Sequence, residues 1–104
     1  MRKFIIGRMT YRPEMQAEFL DLSRRHQIAT RAEPGCEFFD ISLCLDEPDV
    51  AIVTECFVDE AAHQTHNEAP HMAAFQASVA KVLKDGRFHN IYSDTIRVDD
   101  VNFD

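Results

Sequence analysis

The feature that most narrows what this chain can fold into is a change of hydrophobic period at Glu33-Pro34-Gly35. Ahead of it, Met15, Phe19, Leu22, His26 and Ala29 recur at helical spacing, with Glu18, Asp21, Arg24 and Arg25 off the stripe. Pro13 suits the first helical position. Beyond it, Phe39, Ile41, Leu43 and Leu45 alternate with Phe38, Asp40 and Ser42, so residues 36–45 are expected to form a strand. Pro34 disfavours a helical Glu33 and Gly35 permits a tight turn, so the helix must stop there.

Residues 3–9, KFIIGRM, make a first strand, in which Gly7 marks a bulge or a close approach by another group. Asp46-Glu47-Pro48-Asp49 is a hairpin turn leading into a third strand, Val50 to Phe57. Asp59 can cap a short helix, Pro70 opens another with Met72, Phe75, Val79 and Val82 inward, and Asp85-Gly86 should end it. A last strand is expected over residues 87–98, followed by an acidic tail at 99–104. The order β-α-β-β-α-β predicts an α+β, ferredoxin-like split βαβ fold: a four-stranded antiparallel sheet with helices on one face. Residues 1–98 form one domain. The uncovered sheet face carries apolar residues, so a homodimer is expected.

Composition removes several classes of function. A net charge of −7 disfavours nucleic acid or an anionic membrane as partner. Met1-Arg2-Lys3 leads into only three apolar residues, and no run is long enough to span a bilayer, so a cytoplasmic protein is expected. Cys36, Cys44 and Cys56 have no CxxC spacing and read as buried reduced thiols.

The chemistry concentrates in residues 55–71, ECFVDEAAHQTHNEAPH, where a strand ending in Glu55, Cys56 and Phe57 runs into a helix bearing His63 and His66, with His71 just beyond. Titratable and aromatic side chains gathered at one strand–helix junction are what a small-molecule site needs. Glu55 on an apolar strand either reaches water or faces a polar group in a cavity. His26 on an apolar stripe is either a buried histidine with a backbone partner or a cavity-lining group. His63 reads as a solvated surface residue. His63, His66 and His71 could be taken for metal ligands, but the break at Pro70 argues against convergence, and no metal is expected.

Glu33-Pro34-Gly35-Cys36 before a strand, Glu55-Cys56-Phe57-Val58-Asp59-Glu60-Ala61-Ala62, then His66, Pro70-His71 and Phe75 together resemble the antibiotic biosynthesis monooxygenase family over essentially the whole chain. The resemblance implies a dimeric α/β barrel of ferredoxin-like subunits with a pocket between sheet and helices. It implies a catalytic role for His66 and Glu55, and places His71 at the family's Pro-His. Phe57 stands where the family usually has tryptophan, which counts against its haem-degrading branch.

On this footing His66 is the candidate general base and Glu55 its orienting partner. His26, Phe39, Phe57 and His71 are the candidate substrate contacts, with Phe57 stacking on a planar substrate. The expected activity is cofactor-independent monooxygenation of a small phenolic, quinol or anthrone-like compound. The alternatives are a cofactor-free isomerase of an enolisable metabolite, and a non-catalytic binding dimer in which a His66–Glu55 pair only joins helix to strand.

Overall fold

Alternation along β1 (Lys3–Tyr11) determines which side of the sheet becomes the interior. Its odd-numbered residues Lys3, Ile5, Gly7, Met9 and Tyr11 are buried, while Phe4, Ile6, Arg8 and Thr10 point the other way. The structure, a computed structural model, describes residues 1–92. After β1 come a single 3-10 turn (Pro13–Met15), α1 (Gln16–Arg31), β2 (Cys36–Leu43), β3 (Val50–Phe57), α2 (Glu60–Glu68), α3 (Pro70–Val79) and β4 (Leu83–Tyr92). The sheet order is β2-β3-β1-β4, with every neighbouring pair antiparallel. This is the expected ferredoxin-like arrangement, with the second helix broken in two at Pro70. The helices lie on the face that buries the odd residues of β1, with α1 packed on β2 and α3. No helix of the described residues is long and apolar enough to cross a membrane.

The core gathers Met9, Tyr11, Phe19, Phe39, Ala51, Val53, Val79 and Val82. Phe19 stacks on Tyr11 with ring centroids 4.6 Å apart, and the Tyr11 hydroxyl accepts a 2.9 Å hydrogen bond from Gln16 Nε2. A buried phenol needs such a partner. Gly7 is the close approach expected of it: the Phe88 ring of β4 crosses over it, and a Cβ there would lie 2.3 Å from Phe88 Cδ1. Gly35 plays the same part for α2, since a Cβ there would come within 2.4 Å of Ala62 Cβ.

Several boundaries differ from the sequence reading. The buried face of α1 carries Phe19, Ser23, His26 and Thr30. Phe19 and His26 keep their expected places, while Ser23 and Thr30 are buried where Leu22 and Ala29 were expected, those two being half-buried. Strand β2 ends at Leu43, leaving Leu45 fully exposed past its end rather than on the core face. Of the three thiols, only Cys56 is buried; Cys36 and Cys44 are half-buried.

The largest difference concerns residues 80–86. Helix α3 stops at Val79, Val82 turns inward with its carbonyl accepting from Arg12 N at 2.8 Å, and the chain is already in β4 at Leu83. Asp85 and Gly86 pair with Thr10 and Met9 beside a bulge at Thr10/Tyr11, so a dipeptide that reads as a helix stop lies within an edge strand. The expected continuation of that strand to residue 98 and the tail at 99–104 lie outside the described residues.

Candidate functional site

Two local features bring the site together. Asp59 caps α2 by accepting from Ala62 N at 2.8 Å, which sets the helix directly after β3. Gly35 then lets the α1–β2 turn close on Ala62, with Val58 N donating to Gly35 O at 2.9 Å. As a result Glu33, on that turn, meets His66, one helical turn beyond Ala62.

His66 is 1 % exposed, and its Nδ1 lies 2.8 Å from Glu33 Oε2. His71 Nε2 lies 2.9 Å from the same oxygen. A carboxylate oxygen accepts, so each of these nitrogens carries the proton. Neutral His66 therefore presents an unprotonated Nε2, which faces Glu55 Oε1 at 3.8 Å. That distance is an electrostatic contact, longer than a hydrogen bond. On the far side, His71 Nδ1 is 3.3 Å from His26 Nδ1. His26 stacks on Phe75 with centroids 4.0 Å apart and meets Phe39 edge-on at 5.3 Å.

Electrostatics separate these groups. Burial, and then the Glu33 charge, push the Glu55 carboxyl up to about 7. Burial, with the neighbouring His66 and His71, holds His26 down at about 3, so this imidazole stays neutral. His63 is also lowered, by burial first and then by Lys3 and His66.

A cavity of about 350 Å³ opens between the sheet and helices α2 and α3. Glu55, Ile5 and Asn90 form its floor, His63, His66 and Asn67 one wall, and Met72, Phe75 and Gln76 the other, with Phe88 at the edge. An extension of about 50 Å³ reaches inward to His26, Phe39 and Val53. Behind the His26–Phe75 stack a separate groove of about 170 Å³ runs between α1 and α3, lined by His71 and Arg25 among others.

The site residues expected from sequence thus divide. His66 and Glu55 face the cavity together, and His26 and Phe39 line its inner end. His71 lies in the rear groove, bound to Glu33. Phe57, expected to stack on a substrate, is fully buried behind the site, its ring 5.1 Å from His63 and 5.0 Å from His66. His63 is half-buried and lines the cavity rather than standing in solvent. The orienting hydrogen bond to His66 comes from Glu33, not Glu55. Glu33 stood in the sequence as a helix stop and as part of the Glu33-Pro34-Gly35-Cys36 run, with no role in the site. One signal was available: an acidic residue just past a helix C-terminus opposes the helix dipole and needs another partner. Asn67 and Asn90 carried no such signal.

Glu33, His66 and His71 offer three ligand atoms within 4.8 Å of one another, and are the residues that could hold a metal ion at this site. Those same atoms take part in direct hydrogen bonds of 2.8 and 2.9 Å.

The family model for antibiotic biosynthesis monooxygenases matches residues 4–78. A Bacillus subtilis (strain 168) protein named "Putative monooxygenase YcnE" is 32% identical over 72 residues, covering 69% of this chain and 76% of its own. Among solved structures, Rv0793 from Mycobacterium tuberculosis superposes with a TM-score of 0.84 at 21% identity, covering 98% of this chain and 100% of that one. A Deinococcus radiodurans structure described as a "putative antibiotic biosynthesis monooxygenase" gives a TM-score of 0.86 at 21% identity, over 96% and 99% of the two chains. At such identities the structural likenesses establish the fold alone.

Proposed function

As the chain belongs to the antibiotic biosynthesis monooxygenase family, we propose that it is a cofactor-independent monooxygenase acting on a small phenolic, quinol or anthrone-like compound, with His66 as general base. The observation that carries this reading is the direction of the His66 ring. Glu33 accepts a hydrogen bond from Nδ1–H and leaves Nε2 free toward a cavity of ligand size.

In the proposed reaction, Nε2 removes a proton from the hydroxyl or activated C–H of the bound compound. Glu33, against Nδ1–H, stabilises the imidazolium that forms. The electron-rich anion gives one electron to O2, and the two radicals combine to a hydroperoxide that recovers the proton. Loss of water leaves a carbonyl, so that CH2 and O2 become C=O and H2O. The protein supplies the base, the orientation and a site of restricted water access.

One observation favours a second reading. Glu55 and His66 are two titratable groups on the same cavity, and the Glu55 carboxyl is poised near neutrality. Such a pair could move a proton between two carbons of an enolisable metabolite without oxygen. Oxygen uptake followed with substrate loss, over a panel of quinols, anthrones and small ketones, decides between the two. The monooxygenase consumes one O2 per substrate, and His66→Ala lowers that rate roughly 10²–10⁴-fold while remaining folded. Full activity in His66→Ala removes the base, and conversion without oxygen uptake selects the isomerase. The reading includes a homodimer, joined through the uncovered sheet face that carries Phe4, Ile6, Phe38 and Ile91.

A further inference from the structure

We propose that Glu55 sets the charge of what the cavity accepts: an uncharged hydroxyaromatic ligand enters, and its carboxylate or phosphate counterpart is turned away. The inference rests on the cavity being the substrate site of the proposed reaction, and it gives Glu55 a specificity role there. Glu55 stands in the middle of the floor, 7 % exposed, registered between Ile5 of β1 and Phe39 of β2. A second carboxylate, Glu33, lies on the other side of the His66 ring. Among the described residues, no lysine or arginine lines the cavity.

An entering anion would add a third negative charge, with only His66 placed to offset it. His63, the other imidazole on the wall, is held toward its neutral form by burial and by the nearby Lys3. Like charges a few ångströms apart in a partly dry site repel far more strongly than in water. A neutral hydroxyl meets no such barrier. The side-chain amides of Asn67, Gln76 and Asn90 can both donate to it and accept from it. The remaining wall of Met9, Met72, Phe75 and Phe88 suits a flat apolar ring. A volume of about 350 Å³ is near the low end for ligand pockets and has room for roughly two or three fused rings.

The test is calorimetric titration of the full chain at pH 8 with 2-naphthol, 2-naphthoate and 2-naphthylmethylammonium, repeated on Glu55→Gln, a substitution of nearly the same shape. The expected result is 2-naphthol binding about tenfold or more tighter than 2-naphthoate. In Glu55→Gln that ratio falls to about threefold or less, through stronger naphthoate binding. Equal binding of naphthol and naphthoate, a preference that survives in Glu55→Gln, an ammonium bound more weakly than the naphthoate, or no binding of any of the three overturns the proposal. His66→Ala separates it from the base reading. A charge preference that persists, with turnover indifferent to His66, leaves this proposal standing and removes the base. Turnover that requires His66, with naphthoate bound as well as naphthol, does the reverse.

Discussion

The two faces of the same four-stranded sheet have opposite chemistry. The face under the helices is packed, yet it holds carboxylates and imidazoles: Glu55, His66 and His26 are all buried there, with Glu33 against them. The other face is open, yet it carries Phe4 beside Phe38 with centroids 6.4 Å apart. Ile6, Phe38 and Ile91 on that face are 44 %, 41 % and 46 % exposed. Each face runs against the ordinary rule that polar groups meet water and apolar groups avoid it. The packed face tolerates its charges because they contact one another around a cavity, which is the arrangement chemistry requires. The open face leaves its apolar residues unprotected, as the proposed dimer would require.

The largest expected effect falls on the packed face. Glu33→Gln places an amide against His66 Nδ1, which can donate to that nitrogen and favour the tautomer with the proton on Nε2. Turnover should fall roughly 10²–10⁴-fold with little change in fold, as measured by oxygen uptake and circular dichroism. Unchanged turnover would reduce the Glu33–His66 contact to a joint between turn and helix.

Glu55 provides the next test. Its carboxyl titrates near 7 when folded, against an ordinary value of 4.5, so the folded chain holds that proton over a range in which the unfolded chain has lost it. Stability is therefore lost progressively as pH rises through this window. The penalty is absent below the lower value and complete above the upper one. Glu55→Gln removes it. Denaturant unfolding should find the variant more stable than the native chain by up to about 3 kcal/mol at pH 8, with the two converging near pH 4. A constant difference across that range would mean that Glu55 is not held against ionisation.

On the open face the effect is smaller and of a different kind. Ile6→Asp puts a charge into the centre of the proposed dimer contact. It should weaken association by about 2 kcal/mol or more, roughly 30-fold, read by sedimentation of serial dilutions, while leaving unfolding of the monomer nearly unchanged. A native chain that sediments as a monomer at every concentration would leave the exposed apolar residues without that explanation.

The contrast between the faces also separates what could be read from the sequence from what could not. Strand alternation and the stop at Glu33-Pro34-Gly35 are local signals, and they placed β1, α1, β2 and β3 closely. The close approach at Gly7 and the Asp59 cap were legible for the same reason. At Asp85-Gly86 local chemistry pointed to a helix stop, but the second edge of β1 needed a partner and tertiary pairing prevailed. Within the site, His66 and Glu55 could be named because both stand in one short stretch that resembles the family's motif, and both line the cavity. The partner that orients His66 comes from 33 positions away, through a contact that depends on how the turn meets α2. His63 was misplaced because a short helix has no clear wheel once a cavity, rather than solvent, lies beside it.

The proposed role of His66 depends on which of its ring nitrogens holds the proton. Nitrogen-15 NMR of the uniformly labelled full chain, at a pH where the ring is neutral, reads this directly without any substrate. A ring protonated at Nδ1 and bare at Nε2 is the predicted result, with Glu33→Gln shifting the proton toward Nε2. A native ring protonated at Nε2 would point a donor into the cavity and contradict the assignment of His66 as the base.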